Sequence, residues 1–535
     1  MPVQQTKWRV LVSDKLADQG LAPLRESPDI DLLLKPGLKP DELKEEIREA
    51  DALLVRSATK VTADVIEAAP KLVAIGRAGV GVDNIDVEAA TRRGIVVCNS
   101  PEGNTVAAAE HTMALILALA RNVPAANASL AAGEWKRSAF LGVELINKTL
   151  GIVGLGKIGS EVAVRAAAFG MKIIGHDPFI AADRADRLSV EVVDLPELLQ
   201  RADFITIHVP LNKDTQHLIG TETLAAVKPG VRIINCSRGA VVDEAALAQA
   251  IKEGRVAGAG LDVFEKEPPS DSPLLGLDKV VLTPHLGAST AEAQIKVAVD
   301  VAQQVLDVLS GRPARSAVNV MPISAEAMRT LDPYLPLAER MGSLQGQLAE
   351  GPLSSVEIVY AGQLGEEDSR LLTRAFLKGL LSPILDEPVN LVNAAVVAQG
   401  RGLRVVESRS REPQDYVSLI IARVATDGEE RTIAGTLFGR SEARIVRVDD
   451  YRVDFEPSGH MLVSMHIDQP GMIGKVGSIL GEHSINIAGM HVGRRQSGPG
   501  GPSVMVLALD NTVPEDVLQE IRLVDGIQTA QLVEL

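Results

Sequence analysis

The stretch Lys148–Gly159, KTLGIVGLGKIG, restricts what this chain can fold into more than any other. Thr149–Val153 is a short apolar run of strand character, and Gly154, Gly156 and Gly159 fill the glycine positions of a G-x-G-x-x-G turn. Ser160–Gly170 has helical spacing with few breakers, and a second apolar run, Met171–Gly175, ends at His176-Asp177. The order predicts a strand, a glycine turn, a helix N-terminus and an acid at the tip of the next strand. Gly154 permits the tight turn, Gly156 lets backbone amides approach a pyrophosphate, and Gly159 lets the helix pack close to the sheet. The helix start offers unpaired N–H groups and a partial positive charge to phosphates. Asp177 suits a ribose diol and would repel a 2′-phosphate, so the pattern predicts NAD rather than NADP.

A chain of 535 residues is too long for one core and predicts about three or four domains. Aromatic residues make up only 3%, so stacking platforms for nucleic acid are scarce, and the net charge of −16 opposes nucleic acid and anionic membranes. An anionic substrate would need its own arginines inside a cleft. The opening MPVQQTKWRVLVSD lacks the plan of a secretion signal, and the apolar run Met113–Leu119 is too short to span a bilayer. Cys98 and Cys236 both sit in apolar runs, which predicts neither a disulfide framework nor a metal site. The expectation is a soluble cytoplasmic protein.

Ahead of the glycine turn, Lys7–Ser13, Ala52–Val55 and Leu72–Ile75 read as strands, with helical stretches such as Asp41–Ala50 between them. That alternation predicts a small parallel α/β unit. Its strand tips carry Arg56-Ser57 and the glycine-rich Gly76–Asn84, either a plain mobile turn or a substrate cradle of backbone amides and two arginines. Gly94–Asn99 is a further strand, and Thr105–Asn122 a long apolar helix with Thr105 as its N-cap. His111 reads as a satisfied histidine within that helix, and Gly133–Gly142 as a polar loop bearing Lys136-Arg137. Beyond Asp177, strands at Ala202–Val209, Val231–Cys236, Val256–Asp262 and Val280–Thr283, with a helix at Asp243–Gly254, complete an open doubly wound sheet. Ligands of such sheets bind outside the carboxyl ends of the strands, where Arg238, Glu267 and His285 fall. Ser289–Ser310 is an amphipathic helix, Gly311–Pro322 a linker and residues 325–452 a mixed unit. Residues 460–535 run strand, helix, strand, strand, helix, strand, a ferredoxin-like pattern in which Ser497–Ser503 is a flexible connection.

Arg238, Glu267 and His285 suit hydride transfer from a 2-hydroxy acid. Oxidising an alcohol needs a base for the hydroxyl proton, and histidine titrates in the useful range. A glutamate on its other ring nitrogen fixes the tautomer, and an arginine grips the carboxylate and polarises the forming carbonyl. Periodicity alone does not bring the three together.

The glycine fingerprint, Asn235–Gly239, Asp262–Pro268 and Pro284–Thr290 resemble the NAD-dependent D-2-hydroxyacid dehydrogenases. Arg77–Asp86 and Asn99–Thr105 are closer still to the phosphoglycerate-oxidising branch, over essentially the whole chain. The resemblance implies an α/β protein with a Rossmann-type NAD domain at 100–288 and a flavodoxin-like substrate domain made of 1–99 and 289–317. It implies a mixed α+β intervening domain at 318–455 and a regulatory ACT domain at 456–535. It implies oxidation of 3-phospho-D-glycerate by NAD, with Arg238, Glu267 and His285 catalytic. Arg56, Ser57, Arg77, Gly79, Asn104 and Arg137 would hold substrate. Val80, Lys157, Ile158, Val209, Cys236, Ser237, Asp262, Gly287 and Ala288 would join Gly154, Gly156, Gly159, Asp177, Arg238 and His285 around the cofactor. His466, Asp468 and Asn486 would contact L-serine between paired subunits, making the protein a homo-oligomer. In the intervening domain Arg440, Arg444, Arg447 and Arg452 are either an anion site or solvated surface, and Tyr451 stands where some relatives carry a basic residue. A glyoxylate or hydroxypyruvate reductase and a non-catalytic NAD-sensing scaffold are the alternatives.

Overall fold

The computed structural model describes residues 7–321, 324–412, 415–495 and 500–535. The chain divides into two compact units, Met1–Lys60, Gly76–Asn84 and Cys98–Ser316 in one, and Val61–Ile75, Ile85–Val97 and Ala317–Leu535 in the other. Among the described residues no single helix is long and apolar enough to cross a membrane.

The first unit is organised by a seven-stranded sheet. Its strands run Val280–Leu282, Val256–Leu261, Val231–Asn235, Phe204–Ile207, Thr149–Val153, Lys172–His176, Glu191–Val192, every pair parallel. The order reverses on either side of Thr149–Val153, which places the glycine turn at the switch point where doubly wound sheets bind ligands. Both faces are covered. Ile205, Ile207 and Ile233 pack with Leu198 and Leu247 on one side, and Leu150, Ile152 and Ile234 with Ile116 and Val162 on the other. Burial on two faces explains why these strands read as continuous apolar runs rather than alternating ones.

A five-stranded sheet carries the order Ile30–Leu34, Trp8–Val12, Ala52–Val55, Ala74–Arg77, Val96–Asn99, which is flavodoxin-like. The helix Ala291–Leu309 returns to it with Val297, Val301 and Val305 buried. A Cβ at Gly76 would lie 2.8 Å from Val305, so that contact needs a glycine.

In the second unit a six-stranded sheet runs Arg404–Ser410, Leu353–Gly362, Ser418–Thr426, Glu430–Phe438, Glu442–Val448, Tyr451–Phe455, its first pair parallel and the rest antiparallel. Helices Leu335–Leu348 and Arg370–Leu381 cover one face. The C-terminal sheet runs Ile487–Arg494, Pro502–Leu509, His460–Ile467, Ile527–Glu534, all antiparallel. Its helices Met472–Glu482 and Glu515–Arg522 cover Leu462, Met505 and Leu507. The opposite face, Met461, Val463, Val504, Val506 and Val533, joins the core of the six-stranded sheet.

Several expectations need correction. Asn104, not Thr105, is the N-cap of the helix Thr105–Ala120, and Asn122, at φ 53°, breaks it from a second helix, Val123–Ala131. The fourth strand begins at Ala74 rather than Leu72 and runs on to Arg77, placing that arginine on a strand end. The supposed linker after Gly311 is laid along strand Val96–Asn99. Ser316 O accepts from Asn99 N, Val318 N donates to Val97 O, and Asn319 bonds Val97 N, Thr91 Oγ1 and Ile95 O; Pro322 lies outside the described residues. Within the expected connection Ser497–Ser503, residues 497–499 are also outside them, while Pro502 and Ser503 belong to a strand because Ser503 pairs with His466.

Candidate active site

The cleft that concerns function lies within the first unit and has a volume of about 750 Å³. Its lining brings together Arg56, Ser57, Arg77, Gly79, Val80, Asn104, Arg238, Glu267, His285 and Ala288. These residues come from tips of both sheets, so distant stretches of sequence meet only on folding.

His285 stands beyond strand Val280–Leu282 with φ 53°, a conformation costly for a side chain with a Cβ. The surroundings hold it there. His285 N donates to Asp262 O at 2.9 Å, Leu286 N to Asp262 Oδ1 at 2.7 Å and Gly287 N to Asp262 Oδ2 at 2.8 Å. Thr283 Oγ1 also donates to Asp262 Oδ1, at 2.6 Å, with His111 Nε2 3.1 Å away. Asp262 is fully buried, so its carboxylate anchors the histidine loop rather than facing a ligand. Burial pushes the Asp262 carboxyl up, but His111 and Thr283 more than offset this and leave it below its ordinary value. His111 thus finds its partners inside the protein.

His285 Nδ1 lies 2.8 Å from Glu267 Oε2, which leaves Nε2 as the ring atom for a substrate. Phe264 N donates to Glu267 Oε1 at 3.3 Å. Burial raises the Glu267 carboxyl, and the bond to His285 outweighs it, so the group is held below its usual range and stays an anion.

Cationic groups gather at the other wall. Arg77 is pushed down to about 10 by burial and then by the charge of Arg238, with Asp83 opposing and Arg56 adding to the repulsion. Its Nε is buried without a hydrogen-bond partner among the described residues. Crowded guanidinium groups with an unsatisfied donor are chemically suited to an anion. Two residues not singled out from the sequence shape this wall. Asp14 Oδ2 accepts from Arg56 N at 2.6 Å, and Asn84 Nδ2 donates to Arg56 O at 2.8 Å and Thr59 O at 2.7 Å. Asp14 follows the strand Trp8–Val12 in ordinary loop sequence, whereas Asn84 closes the glycine-rich stretch Gly76–Asn84, whose composition gave no sign of this bond. Arg238 is held by its own turn, where Asn235 Nδ2 donates to Arg238 O and Asn235 Oδ1 accepts from Ser237 N.

The glycine turn fits a dinucleotide. Gly154 has φ +93°, and a Cβ there would lie 2.6 Å from His208 O, while one at Gly159 would lie 2.1 Å from Gly154 O. Gly156, the N-cap of helix Lys157–Ala168, has open space where a pyrophosphate would approach. Asp177 Oδ2 accepts from Leu155 N and Oδ1 from Phe179 N, both at 2.9 Å, so the carboxylate is fixed at the tip with lone pairs left for a diol. Val209 borders this turn, and Ile158 packs against the apolar cluster beneath it. Cys236 is pushed up to about 12 by burial, which makes it an inert wall. Lys157 Nζ donates to Glu102 Oε1 at 2.7 Å.

Arg137 is not in the cleft. It opens a short exposed turn, Arg137–Phe140, and lines no part of the site. The proposed serine residues are not together within one chain. His466 is paired through Ser503 with Arg494 at one end of the C-terminal sheet, whereas Asn486 precedes Ile487, which is paired through Leu509 with His460 at the other. Asp468 is ion-paired with Arg494 at 2.8 Å, and Asn486 Nδ2 donates to Asp510 Oδ2 at 2.7 Å. Burial, the largest influence, lowers the pKa of His466, with Asp468 partly opposing it. In the six-stranded sheet Arg447 and Arg452 face one another across adjacent strands, Arg444 lies over Phe438, and Tyr451 is core; Arg440 is in a hairpin turn.

Residues 113–287 match the family model for the D-isomer specific 2-hydroxyacid dehydrogenase NAD binding domain. Residues 330–449 match the D-3-phosphoglycerate dehydrogenase intervening domain, and residues 460–522 the ACT domain. The chain is 49% identical to a D-3-phosphoglycerate dehydrogenase of Methanocaldococcus jannaschii over 98% of its own length and 100% of the relative's. It resembles the solved glyoxylate reductase of Paecilomyes thermophila with TM-score 0.55 and 31% identity, over 59% of this chain and 99% of that one. D-lactate dehydrogenase of Aquifex aeolicus, solved with NAD and lactic acid, gives TM-score 0.52 and 30% identity over 56% and 96%. A buried-carboxylate-anchored histidine, a dinucleotide turn and near-complete coverage by such relatives point one way: this chain belongs to the D-3-phosphoglycerate dehydrogenase family, with an NAD-binding domain of the D-2-hydroxyacid dehydrogenase type.

Proposed function

We propose that the chain oxidises 3-phospho-D-glycerate to 3-phosphohydroxypyruvate with NAD, the first step towards L-serine. The observation that carries this is the His285–Glu267 pair sharing one cleft with Arg56, Arg77 and Arg238. Neutral His285 takes the C2 hydroxyl proton at Nε2, and Glu267 on Nδ1 stabilises the imidazolium that forms. Arg238 grips the C1 carboxylate and polarises the forming carbonyl, while Arg56 and Arg77 take the phosphate. NAD, when bound, accepts the C2 hydride. Gly154, Gly156, Gly159 and Asp177 would hold it, with Val80, Lys157, Ile158, Val209, Cys236, Ser237, Gly287 and Ala288 as walls. His285→Ala should lower kcat by about a hundredfold to ten-thousandfold while NADH still binds. Equal turnover would remove the histidine from the mechanism.

The glyoxylate reductase likeness supports a second reading with a substrate that lacks phosphate. The clustered arginines favour the first, and kcat/KM for phosphorylated against plain hydroxypyruvate decides between them. The division at residues 99, 288, 317 and 455, a cytoplasmic location and a homo-oligomer belong to the same proposal, as does L-serine as effector. His466 and Asp468 sit about 20 Å along the strands from Asn486, by the usual rise per residue, so a ligand touching all three must take Asn486 from a second copy. If serine neither binds nor slows turnover, the regulatory reading fails.

A further inference from the structure

Arg238 does not stand free in the cleft. Its Nε donates to Asp83 Oδ2 at 2.8 Å and its Nη1 to Ser237 O at 2.7 Å. Nη2 lies so near Gly81 that a Cβ there would be 1.6 Å away, so the guanidinium reaches this position only because residue 81 is glycine. The other acids lining the cleft are engaged by their own chain. Asp14 accepts from Arg56 N and from Thr59, Glu265 from Glu244 N, and Glu267 pairs with His285. Among the described lining residues, Asp83 is therefore the carboxylate set directly on a cation that the proposed function assigns to substrate. Its side chain is 61% exposed, so it is free to swing away when displaced.

We propose that Asp83 is a stand-in carboxylate: it occupies the donor edge of Arg238 until the carboxylate of a 2-hydroxy or 2-oxo acid displaces it, and so sets the affinity threshold of the cleft. This rests on the reading that Arg238 receives the substrate carboxylate. A carboxylate that grips Arg238 side-on uses Nε and Nη2, and Nε is the donor that Asp83 already holds, so on that edge Asp83 and substrate compete directly. The competition replaces one charge-assisted bond by another of the same kind. It keeps the guanidinium oriented and its charge balanced while the site is empty. An acid with a second anion can still enter, because the Arg56 and Arg77 side of the cleft adds attraction that Asp83 cannot match. Asp83 thereby acts as a specificity-determining residue through Arg238.

The experiment is a double-mutant cycle on oxalate binding to the enzyme–NADH complex, read by NADH fluorescence in wild type, Asp83→Asn, Arg238→Gln and the double variant. An exposed ion pair of this kind should make Asp83→Asn bind oxalate about threefold to fivefold more tightly, with NADH affinity unchanged. On the Arg238→Gln background oxalate should bind weakly, and Asp83→Asn should bring no gain. Unchanged or weaker oxalate binding by Asp83→Asn overturns the proposal. So does a gain that persists without Arg238, which would make Asp83 a diffuse charge, or a wild type that does not bind oxalate at all. Failure of the wild type to turn over phosphoglycerate would sink the proposed reaction and yet leave this cycle readable.

Discussion

Asp262 shows how much one buried side chain decides. Besides His111, its side-chain partners are Thr283, Leu286 and Gly287, which flank His285 and hold it in a strained conformation. Asp262→Asn keeps the shape but turns one acceptor into a donor facing backbone N–H groups. Each unsatisfied buried group costs about 1–3 kcal/mol, so thermal stability should fall and kcat should drop more than tenfold while NADH affinity changes less. Because the folded carboxyl sits below its ordinary value, its stabilisation is complete above the usual carboxylate range and lost as pH falls through the lowered value. A denaturation series from pH 6 to pH 3 should show that slope in wild type and a shallower one in the variant. At the arginine wall, Arg56→Ala should raise KM for the phosphorylated oxo acid and leave that for plain hydroxypyruvate nearly unchanged. His285 and Glu267, the proposed acid–base pair, stand out in the sequence as residues just past strand ends, and the structure sets them 2.8 Å apart. The support from Asp14 and Asn84 does not stand out, since a polar residue in a loop gives no sign of which backbone it will bind, and the motif around Asn235, at a strand end, did not show its bond to Arg238 O.

Among the elements, the strand–turn–helix around Gly154 is the most local and was the most legible. Thr149–Val153 forms as read, and the helix starts at Lys157, three residues earlier than the spacing suggested. Gly159→Val would drive a side chain into Gly154 O and should loosen NADH binding by more than tenfold, measured by fluorescence titration, with the folded sheet retained. The helix Ala291–Leu309 was legible as amphipathic but its destination was not. Periodicity says which face is buried; which sheet receives it depends on where the chain returns. The segment after Gly311 misled for a related reason. Its Gly-Arg-Pro composition is that of a linker, yet Val318 and Asn319 supply the hydrogen bonds that strand Val96–Asn99 lacks at its edge.

At the scale of the molecule, the second unit has one core spanning two sheets. Met461, Val463, Val504, Val506 and Val533 are buried against the residues of the six-stranded sheet and its helices. A chain cut after residue 455 would leave that apolar face uncovered. The truncated protein should melt at lower temperature and bind a hydrophobic dye, and an unchanged melting profile would show that the two sheets are independent. Asn486→Ala should weaken any effect of serine without altering turnover in its absence.

Local causes alone set the glycine turn with Asp177, the order of strands and helices, the ferredoxin-like tail, and the position of the candidate residues Arg238, Glu267 and His285 just past strand ends. These follow from backbone freedom, periodicity and motif, which neighbours in the chain are enough to specify. Contacts made across the finished fold turn Asp262 inward, set Asp83 on Arg238, leave Arg137 outside the cleft and keep Asn486 far from His466. Each of those depends on contacts between residues far apart in sequence, and a side chain's direction is set by whatever the completed fold places opposite it.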